Sequence, residues 1–247
     1  MTHWSEVEQS SAYVKVLDHG FVGLVDVMGD DSSIVQAART SYGKGTKSVS
    51  EDRGLIRYLM RNFHTSVFEM IEFKFHIKLP IFVMRQHVRH RTANLNEYSG
   101  RYSVMTDEFY IPEQHRLQSQ SVLNKQGSGA QLGGAELEAV HDLIKHMSTE
   151  SYKSYLALIN DPQSEDYWPI DGRQGLSREL SRIILPQNNY TECYWRLISR
   201  ICCTISGCEQ IHMPSGKFKS LQEPWLSLLR HSALLRLKHL KTTWNTA

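Results

Sequence analysis

The run from Met70 to Leu79 alternates without a break: Ile71, Phe73, Phe75, Ile77 and Leu79 are apolar, whereas Glu72, Lys74, His76 and Lys78 are polar or charged. A period of two sorts the sets onto opposite faces of an extended chain, which predicts a half-buried β-strand, the strongest strand signal here. Pro80 follows at once, and its fixed φ suits the first position of a helix over Ile81 to Arg91. On that helix Gln86, Arg89 and His90 stand at i, i+3 and i+4 and share a face.

Other elements arrange themselves around this pair. Tyr13 to Asp18 and Phe21 to Met28 read as strands separated by His19-Gly20. Asp30 to Ser33 supply cap residues for a helix from Ile34 to Ser41 with Ile34, Ala37 and Ala38 on one face. Ser50 to Arg53 open a second helix, Gly54 to Phe63, with a stripe of Leu55, Tyr58 and Leu59. Residues Arg116 to Gly134, rich in Gln, Ser and Gly, have no period and read as a long surface loop. Ala135 to Asn160 is a long amphipathic helix, and Ser177 to Leu185 another, stopped at Pro186. No internal repeat is visible.

At 247 residues, 40% hydrophobic and 22% charged, the chain suits one globular domain or two small ones, and disorder, collagen and coiled coil are excluded. No apolar run reaches the roughly 18 to 20 residues of a membrane span, and Met1 to Asp18 lacks a signal-peptide pattern, so a cytoplasmic protein is expected. The net charge of +2 is uneven. From Arg196 onward there are eight basic and two acidic residues, a balance of +6, which leaves −4 for residues 1–195. An acidic body argues against nucleic acid as a partner, although Tyr98 and Tyr102 beside the arginines could stack bases. All four cysteines (Cys193, Cys202, Cys203, Cys208) lie within sixteen residues, but Cys203, Cys208 and His212 fit no standard zinc spacing, and no metal site is expected.

The densest chemistry lies in Arg89, His90, Arg91, Asn94, Asn96, Glu97, Ser99 and Arg101. Guanidiniums grip phosphate through forked, charge-assisted hydrogen bonds, and Glu97 could hold a ribose hydroxyl or orient an arginine. The plainer alternative is a solvated helix end with cations near its C-terminal dipole. His64, Thr65 and Ser66 with Glu69 form a second candidate between helix and strand, where a structural histidine is the alternative. Arg178, Glu179 and Arg182 form a third, for which a surface ion-pair network is the default.

Arg89-His90-Arg91, then seven residues, then Ser99 resembles the signature of the flavin-dependent thymidylate synthases, within a run, RQHVRHRTANLNEYSGRYS, that is similar throughout. The segments FVGLVDVMGDDSSIVQAARTSYGKGTK, LIRYLMRNFHTSVFEMIEFKFHIKLPIFVMRQ, EFYIPE and SRELSRIILPQNNYTECYW are similar in order and spacing, so the resemblance covers about residues 13–195. It implies an α/β (α+β) fold with a mixed sheet and long helices, and a homotetramer with shared active sites. It further implies FAD as cofactor, NADPH as reductant, methylenetetrahydrofolate as carbon donor and dUMP as substrate. By that resemblance His64, Ser66, Arg89, His90, Arg91 and Glu97 would contact FAD, and Gln86, Arg89, Glu97, Ser99, Gly100, Arg101 and Arg182 would hold dUMP. No residue is assigned as catalytic: the family is thought to act by positioning, without an enzyme adduct on a residue such as Ser99. Val67 stands where the family often has proline.

After Trp195 the resemblance stops, so residues 1–195 form the family-like domain, with 116–134 as its insertion, and 196–247 a divergent tail. In ungapped alignment Thr204 stands for an amide expected near the flavin, Glu209 for the arginine expected on the uracil ring and Met213 for a histidine. Back-translation from Arg196, read one base out of register, permits IDLxNLLHYLRLRADPHAQWEIQ, which restores the family pattern. A single lost base in a Lys codon would turn Lys-Ile-Asp-Leu after Trp195 into Arg196-Leu197-Ile198 and onward. The tail therefore reads as a frameshift product, with weak turnover or a non-catalytic nucleotide- or flavin-binding remnant as the consequence, and few buried contacts expected beyond about residue 197.

Overall fold

The computed structural model describes residues 13–40, 49–123, 125, 127–161 and 169–199. The cysteine cluster beyond Cys193, His212, Thr204, Glu209, Met213 and the rest of the tail lie outside them, as do residues 41–48. Five strands form one sheet: β1 (Tyr13–Val16), β2 (Gly20–Met28), β3 (Glu72–Pro80), β4 (Ala93–Glu97) and β7 (Tyr190–Ile198), in the order β1-β2-β3-β7-β4. Every pairing is antiparallel, which corrects the expected mixed sheet. The α+β class stands. The physical reason is connectivity: β1 and β2 join through a tight turn, and no described strand follows its sheet neighbour through a parallel crossover.

The alternating run forms β3, and Phe73, Phe75, Ile77 and Leu79 are fully buried. They meet Ile34 and Val35 of α1 (Asp31–Thr40), Ile56 and Leu59 of α2 (Val49–Arg61), and Val83 and Met84 of α3 (Ile81–His87). Each such aromatic or aliphatic side chain contributes about 1.5–3 kcal/mol relative to exposure. The stripe on α2 is Leu55, Ile56 and Leu59, and Tyr58 faces outward. The opposite face of β3 is not simply wet. His76 is buried between Tyr13, whose hydroxyl is 3.0 Å from Nδ1, and Glu192, whose Oε1 is 2.6 Å from Nε2, and it stacks on Tyr194. Lys78 is buried against Glu108 at 2.7 Å. Partners distant in sequence convert the later part of the expected half-buried strand, from Phe75 onward, into one covered on both faces, while Lys74 stays exposed.

Three further expectations are corrected. The helix after Pro80 ends at His87, not Arg91, and Pro80 itself is extended (φ −61, ψ 143), preceding the helix as its cap. The chain then reverses through Thr92 at φ 64 into β4, a bend that four more helical residues would forbid. The segment 116–134 contains a hairpin of β5 (Gln118–Gln120) and β6 (Ser128–Gln131), solvated enough that no apolar period was needed. The Ser177–Leu185 helix is one turn, α5 (Arg178–Ser181), passing into a 3₁₀ turn at Arg182–Ile184.

The long helix α4 (Gly134–Ile159) builds a second core with Tyr152, Tyr155, Leu156 and Ile159 against Met105 and Phe109. Two of its tyrosines clamp the backbone of one residue from both sides: Tyr155 accepts from the Met105 amide at 3.0 Å, and Tyr152 donates to the Met105 carbonyl at 3.0 Å. This fixes the segment that follows Arg101. At the end of β7, Leu197 is buried, and Ser199 donates through its amide to Ile71 (2.8 Å) and through its hydroxyl to Phe68 (2.5 Å).

Candidate active site

The arginine-bearing segment is the rim of the sheet. Once α3 stops, the amides of Val88, Arg89 and His90 bond back to the carbonyls of Met84, Gln86 and His87, so Arg89-His90-Arg91 occupies a tight turn. Gln86, Arg89 and His90 therefore do not share a helical face. Thr92 is a β-branched residue in the left-handed region, a conformation that costs of order 1–3 kcal/mol and recurs at ligand sites. Arg89 and Arg91 are exposed, and among the described residues neither guanidinium has a carboxylate partner.

Under this turn lies His87, which the sequence did not single out. It is 6% exposed, sits edge-on to Trp195 with ring centroids 4.0 Å apart, and lies 6.0 Å from His90. Burial, with a smaller push from His90, drives its imidazole down to about 3, so it is neutral at physiological pH. Burial also lowers His90. The turn thus presents arginine charge above two neutral imidazoles.

From the turn the chain runs along β4, the edge strand, to Glu97. Its carboxylate accepts from the Thr191 hydroxyl at 2.7 Å, and the next amide, that of Tyr98, donates to the Glu192 carbonyl at 2.7 Å. Ser99 follows, its hydroxyl accepting from the Arg101 amide at 3.3 Å. Gly100 is buried, and a Cβ there would lie 3.0 Å from Met105 Sδ and 3.3 Å from Arg182 Cδ. With glycine here Arg182 and Met105 approach the backbone more closely than a Cβ would ordinarily allow.

Around Gly100 the third sequence candidate joins the first. Arg101 pairs with Glu179 at 3.2 Å, Arg182 donates from Nε to the Glu179 carbonyl at 3.1 Å, and Arg178 donates to the Tyr102 carbonyl (2.8 Å) and to Asp161 (3.1 Å). The Arg101–Glu179 pair is more than half exposed and contributes little to stability. Three guanidiniums facing two carboxylates leave one positive charge in excess, with Arg89 and Arg91 adding two more. This donor set fits an oxyanion such as a phosphate ester.

His64 and Ser66 are not brought to that cluster. Both are exposed: the His64 ring lies 6.1 Å from Tyr58, Ser66 begins a 3₁₀ turn (Ser66–Met70), and among the described residues no hydrogen bond or ring contact joins them to 86–101. Sequence reasoning missed Thr191 and Trp195, which lie on β7, a strand it did not assign. The signal was present in Tyr190–Ile198, dense in aromatic and β-branched residues after a Pro-Gln-Asn-Asn turn. Among the described residues no cluster of metal-ligand type occurs.

The chain is an α+β protein whose antiparallel sheet carries at one edge an arginine turn and an arginine-glycine cradle. The chain belongs to the Thy1 family, described as thymidylate synthase complementing protein, whose model matches residues 23–200. It is 53% identical over 182 residues to a flavin-dependent thymidylate synthase of Ruegeria pomeroyi, an alignment covering 74% of this chain and 57% of the relative. It is 46% identical over 222 residues to one of Rickettsia typhi, covering 86% and 75%. The chain thus spans little more than half the length of the Ruegeria pomeroyi relative. Among solved structures it is similar to a UMP/dUMP methylase, PolB of Streptomyces cacaoi, bound with 5-Br UMP: the TM-score is 0.70 and the identity 26%, with 92% of this chain and 94% of that one covered.

Proposed function

We propose that this protein is a flavin-dependent thymidylate synthase that converts dUMP to dTMP, with methylenetetrahydrofolate as carbon donor and NADPH reducing the FAD. The observation that carries the reading is the cradle at Gly100, where Arg182 approaches a backbone stripped of its Cβ and the neighbouring Arg101 pairs with Glu179. Arg101 and Arg182 hold the dUMP phosphate. Gln86, Arg89, Glu97, Ser99 and Gly100 line the remainder of the nucleotide, and Arg89, His90, Arg91 and Glu97 also face the flavin with His64 and Ser66. Reduced flavin, when bound, supplies the hydride that completes the methyl group. The chain's own contribution is to fix phosphate and ribose, so that ring and flavin meet in one geometry.

Among the described residues no hydrogen bond or ring contact joins His64 or Ser66 to the arginine cluster, which supports a site completed by other copies in a cytoplasmic homotetramer. The exposed Leu143 and Met147 on α4 support assembly, as does an apolar groove of about 300 Å³ lined in part by Phe82, Tyr110 and Ile144. Among the described residues no helix is long and apolar enough to cross a membrane.

We also infer that the chain after Trp195 is read one base out of frame, which supports a second reading: a nucleotide- or flavin-binding remnant with impaired turnover. Flavin absorbance after purification and dUMP-dependent NADPH oxidation test the first reading. Titratable dUMP binding with no oxidation supports the second, and binding of neither ligand overturns both. Resequencing codons 190 to 215 from source DNA tests the frame, and confirmation of the sequence as written overturns a recording error.

A further inference from the structure

We propose that Thr191 is a positioning residue: its hydroxyl sets the Glu97 carboxylate in the orientation that receives the nucleotide. Thr191 is 1% exposed on β7 and pairs across the sheet with Leu79 of β3, an apolar neighbourhood that a valine would fill equally well. A buried hydroxyl with no acceptor is costly, so the threonine needs its bond to Glu97 Oε1 at 2.7 Å, which lies in the range of a charge-assisted hydrogen bond. Glu97 by contrast is exposed at the end of an edge strand, where its side chain would otherwise sample several rotamers. The backbone beside it is held from the same strand, because the Tyr98 amide donates to the Glu192 carbonyl at 2.7 Å.

Both the carboxylate and the peptide after it are therefore set by β7. Among the described residues Thr191 is the one group bonded to the Glu97 carboxylate, through Oε1. Oε2 is left to accept from a donor such as a ribose hydroxyl or a ring N–H. Thr191 itself touches no ligand and acts through Glu97. This rests on the proposed function insofar as Glu97 faces a nucleotide.

The test is calorimetric titration of the full chain with dUMP, alongside the flavin retained on purification. Thr191→Val preserves shape and removes the donor, and should weaken dUMP binding about tenfold, the loss expected for one hydrogen bond to a charged group. Thr191→Ser restores the donor and should bind within a fewfold of wild type. In a Glu97→Ala background Thr191→Val should cause no further loss, which a general packing defect would not obey. Equal dUMP affinity in wild type and Thr191→Val, or an undiminished loss in the Glu97→Ala background, overturns the role of Thr191 alone. A wild-type chain that binds neither dUMP nor flavin overturns the proposed function and this role with it.

Discussion

His87 makes the native state acid-sensitive in a way that can be worked through. Its imidazole is buried against Trp195 and held neutral, with its pKa pushed down to about 3 from 6.5 in the unfolded chain. Because the folded value is depressed, the unfolded chain takes a proton that the native state refuses. The stabilising contribution is complete above about pH 6.5 and is lost as the pH falls toward 3. Between pH 8 and pH 5 the linkage relation gives a loss of about 2 kcal/mol from this one group, rising to about 4 kcal/mol near pH 3. For a chain of this size 2 kcal/mol corresponds to roughly 4–8 °C in the thermal midpoint. Replacing the imidazole by a ring that cannot titrate, His87→Phe, should remove that slope whatever constant offset the new packing introduces. His90, also depressed by burial, stays in both proteins and cancels. Denaturant unfolding of wild type and His87→Phe at pH 8 and pH 5 gives the double difference. Parallel pH dependence, within about 0.5 kcal/mol, would refute the reasoning, since it would mean that the imidazole charges in the folded state at little cost.

Arg89→Ala removes from the turn a guanidinium that has no carboxylate partner among the described residues, and it should abolish flavin or dUMP binding in titration while leaving the thermal midpoint within a few degrees. Gly100→Ala places a methyl 3.0 Å from Met105 Sδ and 3.3 Å from Arg182 Cδ, so dUMP affinity should fall at least tenfold with a small change in stability, read by calorimetry and thermal unfolding. Lys78→Ala leaves Glu108 without its buried partner and opens a cavity beneath it. A loss of about 3–5 kcal/mol should appear as a lower denaturant midpoint.

What the sequence disclosed divides along the range of the forces involved. The alternation in β3 and the amphipathic run of α4 are written in neighbouring residues, and the observed ends of α4, Gly134 and Ile159, differ from the expected ones by a single residue. The arginine cluster was legible for the same reason: its members are contiguous. What escaped depends on partners far along the chain. His76 and Lys78 are polar by type and buried because Glu192 and Glu108 reach them from 116 and 30 residues away. The early end of α3 is set by the need to turn back along β7, which no local propensity encodes. Thr191 gains its role from a carboxylate 94 residues distant. β4 escaped because Ala-Asn-Leu-Asn-Glu has the composition of a loop, and it is extended only because β7 supplies one row of hydrogen bonds.

That polar composition also explains why the site lies where it does. β4 is the last strand of the sheet, with β7 on one side and no described strand on the other. An apolar strand in that place would invite a further strand to add, and polar or charged side chains discourage it. The same exposure lets Glu97 offer a carboxylate and the flanking turns offer guanidiniums without the desolvation cost they would meet inside the sheet. The seven residues between Arg91 and Ser99 then acquire a geometric meaning. Five of them form β4 and span about 16 Å at the rise of an extended chain, so the spacing fixes how far the arginine turn stands from the Gly100 cradle. Side chains alternate along a strand, so one residue more or fewer would carry Glu97 to the other face and away from Thr191. The motif spacing is thus a length and a parity imposed by an edge strand, and the chemistry at its two ends depends on both.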